Sequence, residues 1–319
     1  MYRECGPEHQ VNRRGFLLQT AAMAAGAAAL GLEARSVAAQ EAGLPPAAPL
    51  LPTVALGSHQ VTRLIAGYNP IGGHSHTTLD MTRHMLDYFT AERTAEFLLR
   101  CERAGLNTWQ FDLTDKTVEA IRLAREQGCG IQLICLHAER GSDSGLTEVM
   151  TQQPLAIVHH GGVTDGLFRA GKAQQVHDFV KKVHDQGVLA GVSSHCPDNV
   201  KRIADEGWEN DLFMTCFYYL TRPREEMQQQ LGKVPVGEPF FESDPDEMTA
   251  VVRQVPKPCL GFKILAAGMK CWSADSVEQC FQYAFGRLKP TDAVIVGLYP
   301  QLADEITENA EYARKYGAA

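Results

Sequence analysis

The chain has 319 residues, 45% of them apolar and 21% charged, a balance that excludes an intrinsically disordered chain. Its 28 Gly and 16 Pro follow no short period, which excludes collagen and low-complexity sequence. The net charge of −8 offers no basic face, so neither nucleic acid nor an anionic membrane surface is an expected partner.

The first residues read as an address. Arg13-Arg14 precede an Ala- and Gly-rich apolar run, Ala21 to Leu32, and Val37-Ala38-Ala39 ends the stretch as a small-residue cleavage pattern. The run is too short for a stable membrane span. The pattern resembles a twin-arginine signal, which implies the Tat export machinery as a partner and a periplasmic or extracellular destination. The expected organisation is a signal peptide over 1–39, a Pro/Ala-rich linker over 40–52 and one domain over 53–319. Of the cysteines, Cys135, Cys216 and Cys259 lie in apolar runs and read as small core residues.

Beyond the linker, short apolar runs alternate with helical spacing. Strands are expected at 63–69, 106–112, 130–136, 154–160, 188–194, 212–219, 259–265 and 293–298, and helices between them, for example over 91–103 and 114–127. Most runs lack period-two alternation, as parallel strands buried on both faces do. Eight such units predict an α/β fold, a (β/α)8 TIM barrel. No G-x-G-x-x-G follows the first strand, which disfavours an open doubly wound sheet. Residues 221–257 are long and polar for one connection and read as a lid or a surface excursion. Asp244 and Asp246 within them read as solvated acids.

Barrel chemistry sits at the C-terminal ends of the strands. Those ends carry Asn69 with His74 and His76, Gln110 and Asp112, His137, His159 and His160, Ser193, Ser194 and His195, Tyr218, Lys263 and Tyr299. Six histidines at one rim make His74, His76, His137, His160 and His195 candidate ligands of a divalent metal, or proton carriers. Lys263, in an apolar run, is a candidate base, electrophile or Schiff-base former.

The segments also resemble a family. Val54-Ala-Leu-Gly-Ser-His-Gln-Val-Thr-Arg-Leu-Ile-Ala-Gly67 resembles the opening hairpin and first strand of aldo-keto reductases, and Gly105-Leu-Asn-Thr-Trp-Gln-Phe111 their second strand. Gly191-Val-Ser-Ser-His195, Phe262-Lys-Ile-Leu-Ala-Ala-Gly268 and Val296-Gly-Leu-Tyr-Pro-Gln301 resemble later strands, in the right order. The resemblance implies an N-terminal hairpin, a barrel and carbonyl reduction with NADPH by an Asp–Tyr–Lys–His tetrad. It implies cofactor contacts from Ser193, Ser194, Phe262, Gly297 and Asn309. This sequence departs from the tetrad: Gln110 stands in the Asp place, Asp115 near the Tyr place, and Cys135-Leu136-His137 where the Lys belongs. Only the His place is kept, by His159 or His160.

The expected function is therefore an exported, aldo-keto-reductase-like barrel enzyme acting on a small polar carbonyl or sugar-type substrate. Lys263, His159, His160 and His195 are the expected catalytic residues; Asn69, Gln110, His137 and Tyr218 would bind substrate. The alternatives are an NADP-dependent oxidoreductase with a rewired site, a metal-dependent isomerase, lyase or hydrolase, and a non-catalytic periplasmic binding protein.

Overall fold

The structure is a computed structural model and describes residues 47–137 and 145–318. The expected signal peptide and the first part of the linker lie outside the described residues. The chain divides into a unit of residues 1–46 and a unit of residues 47–319.

The second unit opens with an antiparallel hairpin, β1 (Thr53–Leu56) and β2 (His59–Thr62). Eight parallel strands follow: β3 (Leu64–Gly67), β4 (Thr108–Phe111), β5 (Gln132–His137), β6 (Ala156–His159), β7 (Leu189–Ser194), β8 (Leu212–Cys216), β9 (Cys259–Phe262) and β10 (Ala293–Gly297). They close in the order β10-β3-β4-β5-β6-β7-β8-β9. Seven lie inside the runs the sequence marks out, and β5 extends one residue past its expected end at 136, to His137. Between them run α1 (Leu79–Tyr88), α2 (Ala91–Arg103), α3 (Asp115–Glu126), α4 (Leu146–Thr151), α5 (Gly161–Arg169), α6 (Ala173–Asp185), α7 (Pro197–Asp205), α8 (Arg224–Leu231), α9 (Asp244–Val252) and α10 (Ala274–Arg287), with α11 (Glu305–Tyr316) last. The chain is a (β/α)8 TIM barrel with an N-terminal hairpin. Among the described residues no helix is long and apolar enough to cross a membrane.

Local chemistry starts the helices. The Thr90 hydroxyl accepts from the Arg93 amide to open α2, and Thr114/Thr117 and Ser273/Ser276 form capping boxes at α3 and α10.

Two apolar clusters fill the molecule. The inner one joins Ile134, Val158, Met214, Leu260 and Ile295 inside the barrel to Val54, Leu56 and Val61 of the hairpin. The hairpin thus closes the N-terminal end. The outer cluster joins Leu133, Cys135, Ile157, Val192, Phe213 and Val294 to the helices. Cys135, Cys216 and Cys259 are buried free thiols, as a core reading requires.

Alternation along a strand sends neighbours to opposite faces. In β6, Ala156 and Val158 face inward, so Ile157 and His159 face the helices. His137, opposite His159 in the ladder, does the same: its ring stacks on Phe179 of α6 at 5.5 Å, and His159 meets the same ring edge-on at 4.9 Å. Both histidines are 3% exposed. This corrects the expectation that His137 binds substrate or metal and that His159 carries protons. His159 Nδ1 instead lies 2.7 Å from Thr164 Oγ1. Burial, with His160 and His137 nearby, pushes its pKa down to about 4.

That shift has a signed consequence. Native His159 stays neutral while the unfolded residue, at 6.5, takes up a proton. Stability from this group is complete above pH 6.5 and is lost as pH falls toward 4, by roughly 3 kcal/mol at 1.4 kcal/mol per unit. We expect His159→Gln to flatten the loss of stability between pH 6.5 and 4 in urea titrations; an unchanged slope would show that His159 is not buried neutral.

Candidate functional site

The two halves of the C-terminal rim differ. β4, β6 and β7 pass almost directly into helices. β3, β8, β9 and β10, adjacent in the barrel, are followed by excursions over 68–78, 217–243, 263–273 and 298–304. Five large exposed apolar residues, Leu231, Val236, Met269, Trp272 and Leu302, lie in these excursions.

At the foot of the raised half three side chains form a chain. Lys263 Nζ donates to His76 Nε2 at 2.7 Å, and His76 Nδ1 pairs with Glu238 Oε2 at 2.7 Å. Asn69 Nδ2 lies 3.4 Å from the same Nε2. The lysine donor requires a lone pair on Nε2, so the His76 proton sits on Nδ1 and points at Glu238. The bond from His76 holds the Glu238 carboxyl below its ordinary value despite partial burial. Burial lowers Lys263, while Cys216 and Glu238 partly offset it. His74 is lowered too, first by burial and then by facing His76 and Lys263.

The backbone here is strained. Among the described residues five non-glycine residues have positive φ, and four belong to these loops: His76 (57°), Lys263 (59°), Ala266 (50°) and Ala267 (52°). Each such residue costs on the order of 1 kcal/mol or more, and such strain clusters at functional sites. Glu238 is held by its own loop. Arg222 pairs with Asp244 at 2.9 Å, and Phe240 packs on Tyr218 at 5.0 Å. Asp244 is 2% exposed, so it is a buried clamp and not the solvated acid expected. Tyr218, also 2% exposed, supports this loop from within the core.

The facing side carries a second pair. His195 Nδ1 lies 3.0 Å from Asp165 Oδ2 of α5. The same carboxylate accepts from the His195 amide (3.0 Å), Ser194 Oγ (2.5 Å), Asn199 Nδ2 (3.0 Å) and Thr221 Oγ1 (2.9 Å). Burial alone would raise Asp165; the bonds from His195 and Ser194 outweigh it and hold the carboxyl low. A Cβ on Gly161 would stand 2.8 Å from Ser193 Oγ and 3.1 Å from His195 Cε1, so only glycine lets α5 begin this close. Phe262 links the two sides: its ring centroid is 5.6 Å from that of His195 and 5.7 Å from Lys263 Nζ.

Alternation places Gln110, Ser193 and His160 with the inward set. Gln110 Nε2 and Ser193 Oγ are buried polar atoms without a hydrogen-bond partner among the described residues. Asp112, past the end of β4, has its carboxyl pushed up to about 7 by burial.

A dinucleotide fits this chain poorly. Ser194 is fully buried and spends its hydroxyl on Asp165. Asn309 is 2% exposed and bonds back to Glu305 O at 2.6 Å. A Cβ on Gly297 would stand 2.7 Å from the Pro70 ring. α11 opens with Glu305 and Glu308, and Glu305 takes the Tyr299 amide at 2.7 Å. Among the described residues no three His, Cys, Asp or Glu groups converge as a ligand set. His76 is engaged with Glu238 and Lys263, His195 with Asp165, and His137 faces the helices.

Two partners escaped the sequence reading. Asp165 shares the strand-facing side of α5 with Gly161 and Thr164, a spacing that marks an acid set into a buried face. Glu238 carries no such signal, being separated from His76 by 162 residues.

No family model matches the sequence, and no curated protein matches it significantly. Among solved structures, the apo form of Gox0644 is similar with a TM-score of 0.50 and 12% identity over 83% of this chain and 93% of that one. An aldo/keto reductase from Brucella melitensis has a TM-score of 0.44 and 13% identity over 83% and 99%. The N-acetylmannosamine-6-phosphate 2-epimerase from Clostridium perfringens has a TM-score of 0.42 and 12% identity over 72% and 86%. At these identities the likeness to the first is one of fold, the closed parallel barrel that the strand order already displays.

Proposed function

We propose that this protein is an enzyme of proton transfer at the carbonyl of a small polar compound, with Lys263 engaging the carbonyl and His195 moving the proton. The observation that carries the reading is the Lys263–His76–Glu238 chain, whose first two members meet at 2.7 Å from backbones both strained into the left-handed region. Strain of this kind persists where surrounding structure over-determines it.

The roles follow from the bonds. With Nε2 of His76 as acceptor and Nδ1 tied to Glu238, Lys263 is aimed by one of its three donors and keeps the others for a carbonyl oxygen. A cation there stabilises charge that develops on that oxygen. His195 has Nδ1 committed to Asp165, which leaves Nε2 as the atom that exchanges protons with substrate. Gln110 Nε2 and Ser193 Oγ offer further polar contacts. The same proposal includes action outside the cytoplasm, a reading supported by Arg13-Arg14 and the apolar run after them.

The test is exchange of carbon-bound protons in deuterated water, followed by NMR over a panel of small aldehydes, ketones and hydroxy-ketones. At least one compound should exchange α to its carbonyl. Lys263→Met should lower that rate by about 10³-fold and His195→Gln by about 10²-fold, the span of general acid–base contributions, in protein whose melting is unchanged. Exchange by Lys263→Met at the wild-type rate would overturn the reading.

A further inference from the structure

Resting on that proposal, the geometry points to one step more: Lys263 Nζ, held 2.7 Å from His76 Nε2, is a nucleophile that captures an aldehyde or ketone as an imine, with His76 handling the proton. Capture by amine needs a lysine that can shed its proton, a base within reach to take it, and a fixed direction of approach. The chain meets each need. His76 Nε2 is an acceptor already bonded to Nζ, and Glu238 at 2.7 Å from Nδ1 steadies the imidazolium that forms when the proton crosses. Burial favours the neutral amine. The left-handed turn at Lys263 and the Phe262 ring 5.7 Å from Nζ fix where the amine stands.

The step balances without a co-reactant. The ammonium proton passes to His76 Nε2. The nitrogen lone pair then forms a bond to the carbonyl carbon, and the C=O π pair moves to oxygen. The imidazolium proton and then a second nitrogen proton, both relayed through His76, go to that oxygen, which leaves as water, and a protonated C=N bond remains. Nothing is oxidised or reduced, and hydrolysis reverses the sequence. The ligands are aldehydes and unhindered ketones; esters and carboxylates, which form no imine under these conditions, are excluded.

The test treats the full chain with glycolaldehyde, dihydroxyacetone or pyruvate at pH 7 in the presence of sodium cyanoborohydride, which reduces an imine to a stable amine. Peptide mass spectrometry then compares Lys263 with Lys201, an exposed lysine of α7. With an acceptor already bonded to Nζ and its approach fixed, Lys263 should label at least ~10-fold faster with one of the probes. Its rate should rise with pH and level off below the ordinary lysine range, because burial lowers Lys263. His76→Asn should slow labelling of Lys263 and leave Lys201 unchanged, a split that a merely structural His76 would not produce. Labelling of Lys263 no faster than Lys201 with all three probes, in protein that melts normally, overturns the inference. If α-proton exchange persists in that case, covalent capture falls while the proton-transfer reading stands. Labelling at Lys263 without any exchange supports capture and removes the proton-transfer reading instead.

Discussion

Closure of the sheet is the constraint on which everything else depends. Once eight strands bond edge to edge, each has one face toward a narrow interior and one toward the helices, and no side chain can choose. The interior accepts Ile134, Val158, Met214, Leu260 and Ile295 as packing. What remains at the C-terminal end is a short list of inward positions, and those alone face the mouth. His159 and His160 illustrate the rule: they are adjacent, so one belongs to the helix layer and the other to the rim. Register then extends the choice across the ladder, because His137 is paired with His159 and shares its fate.

The mouth is built mostly from connections. β4, β6 and β7 end abruptly, while β3, β8, β9 and β10 supply loops that fold back over one side. Glu238, His76 and Lys263 come from three of these loops, and their contacts are of the longest sequence separation in the site, 162 and 187 residues. Holding them together takes the buried Arg222–Asp244 pair below the long excursion and tolerates four non-glycine residues at positive φ. The opposite side is rigid by other means. One carboxylate, Asp165, gathers donors from the end of β7, from α7 and from the loop bearing Thr221, so His195 sits in a frame and not on a flexible arm.

The difference between these two sides explains what could be read from the sequence. The eight strands were legible because buried parallel strands are short apolar runs, and helix starts such as Thr90 and Thr114 carry their capping residues. Lys263 and His195 stood out as polar residues at strand ends. The split between His159 and His160 was also legible in principle, since Ala156 and Val158 set the inward parity, but the neighbouring pair hid it. Asp244 was misread because a loop acid is ordinarily solvated, and only the fold shows Arg222 beside it. Glu238 was beyond reach, as no local pattern encodes a contact between two excursions. Two of the cofactor contacts implied by resemblance, Ser194 and Asn309, have their side chains engaged within the chain for a related reason. Similar strands fix where Ser194 and Asn309 stand, yet the partners each one finds, Asp165 and the Glu305 carbonyl, belong to this chain.

The hairpin at the other end has its own bearing on turnover. By inserting Val54, Leu56 and Val61 into the inner cluster, it makes the barrel a cup with a sealed floor instead of a tube. Arrivals and departures must then use the same door. Under the proposed chemistry, a product still seated by Lys263 would block the next molecule outright, so the two would compete for one place. Water released inside such a cup must also pass that occupant on its way out.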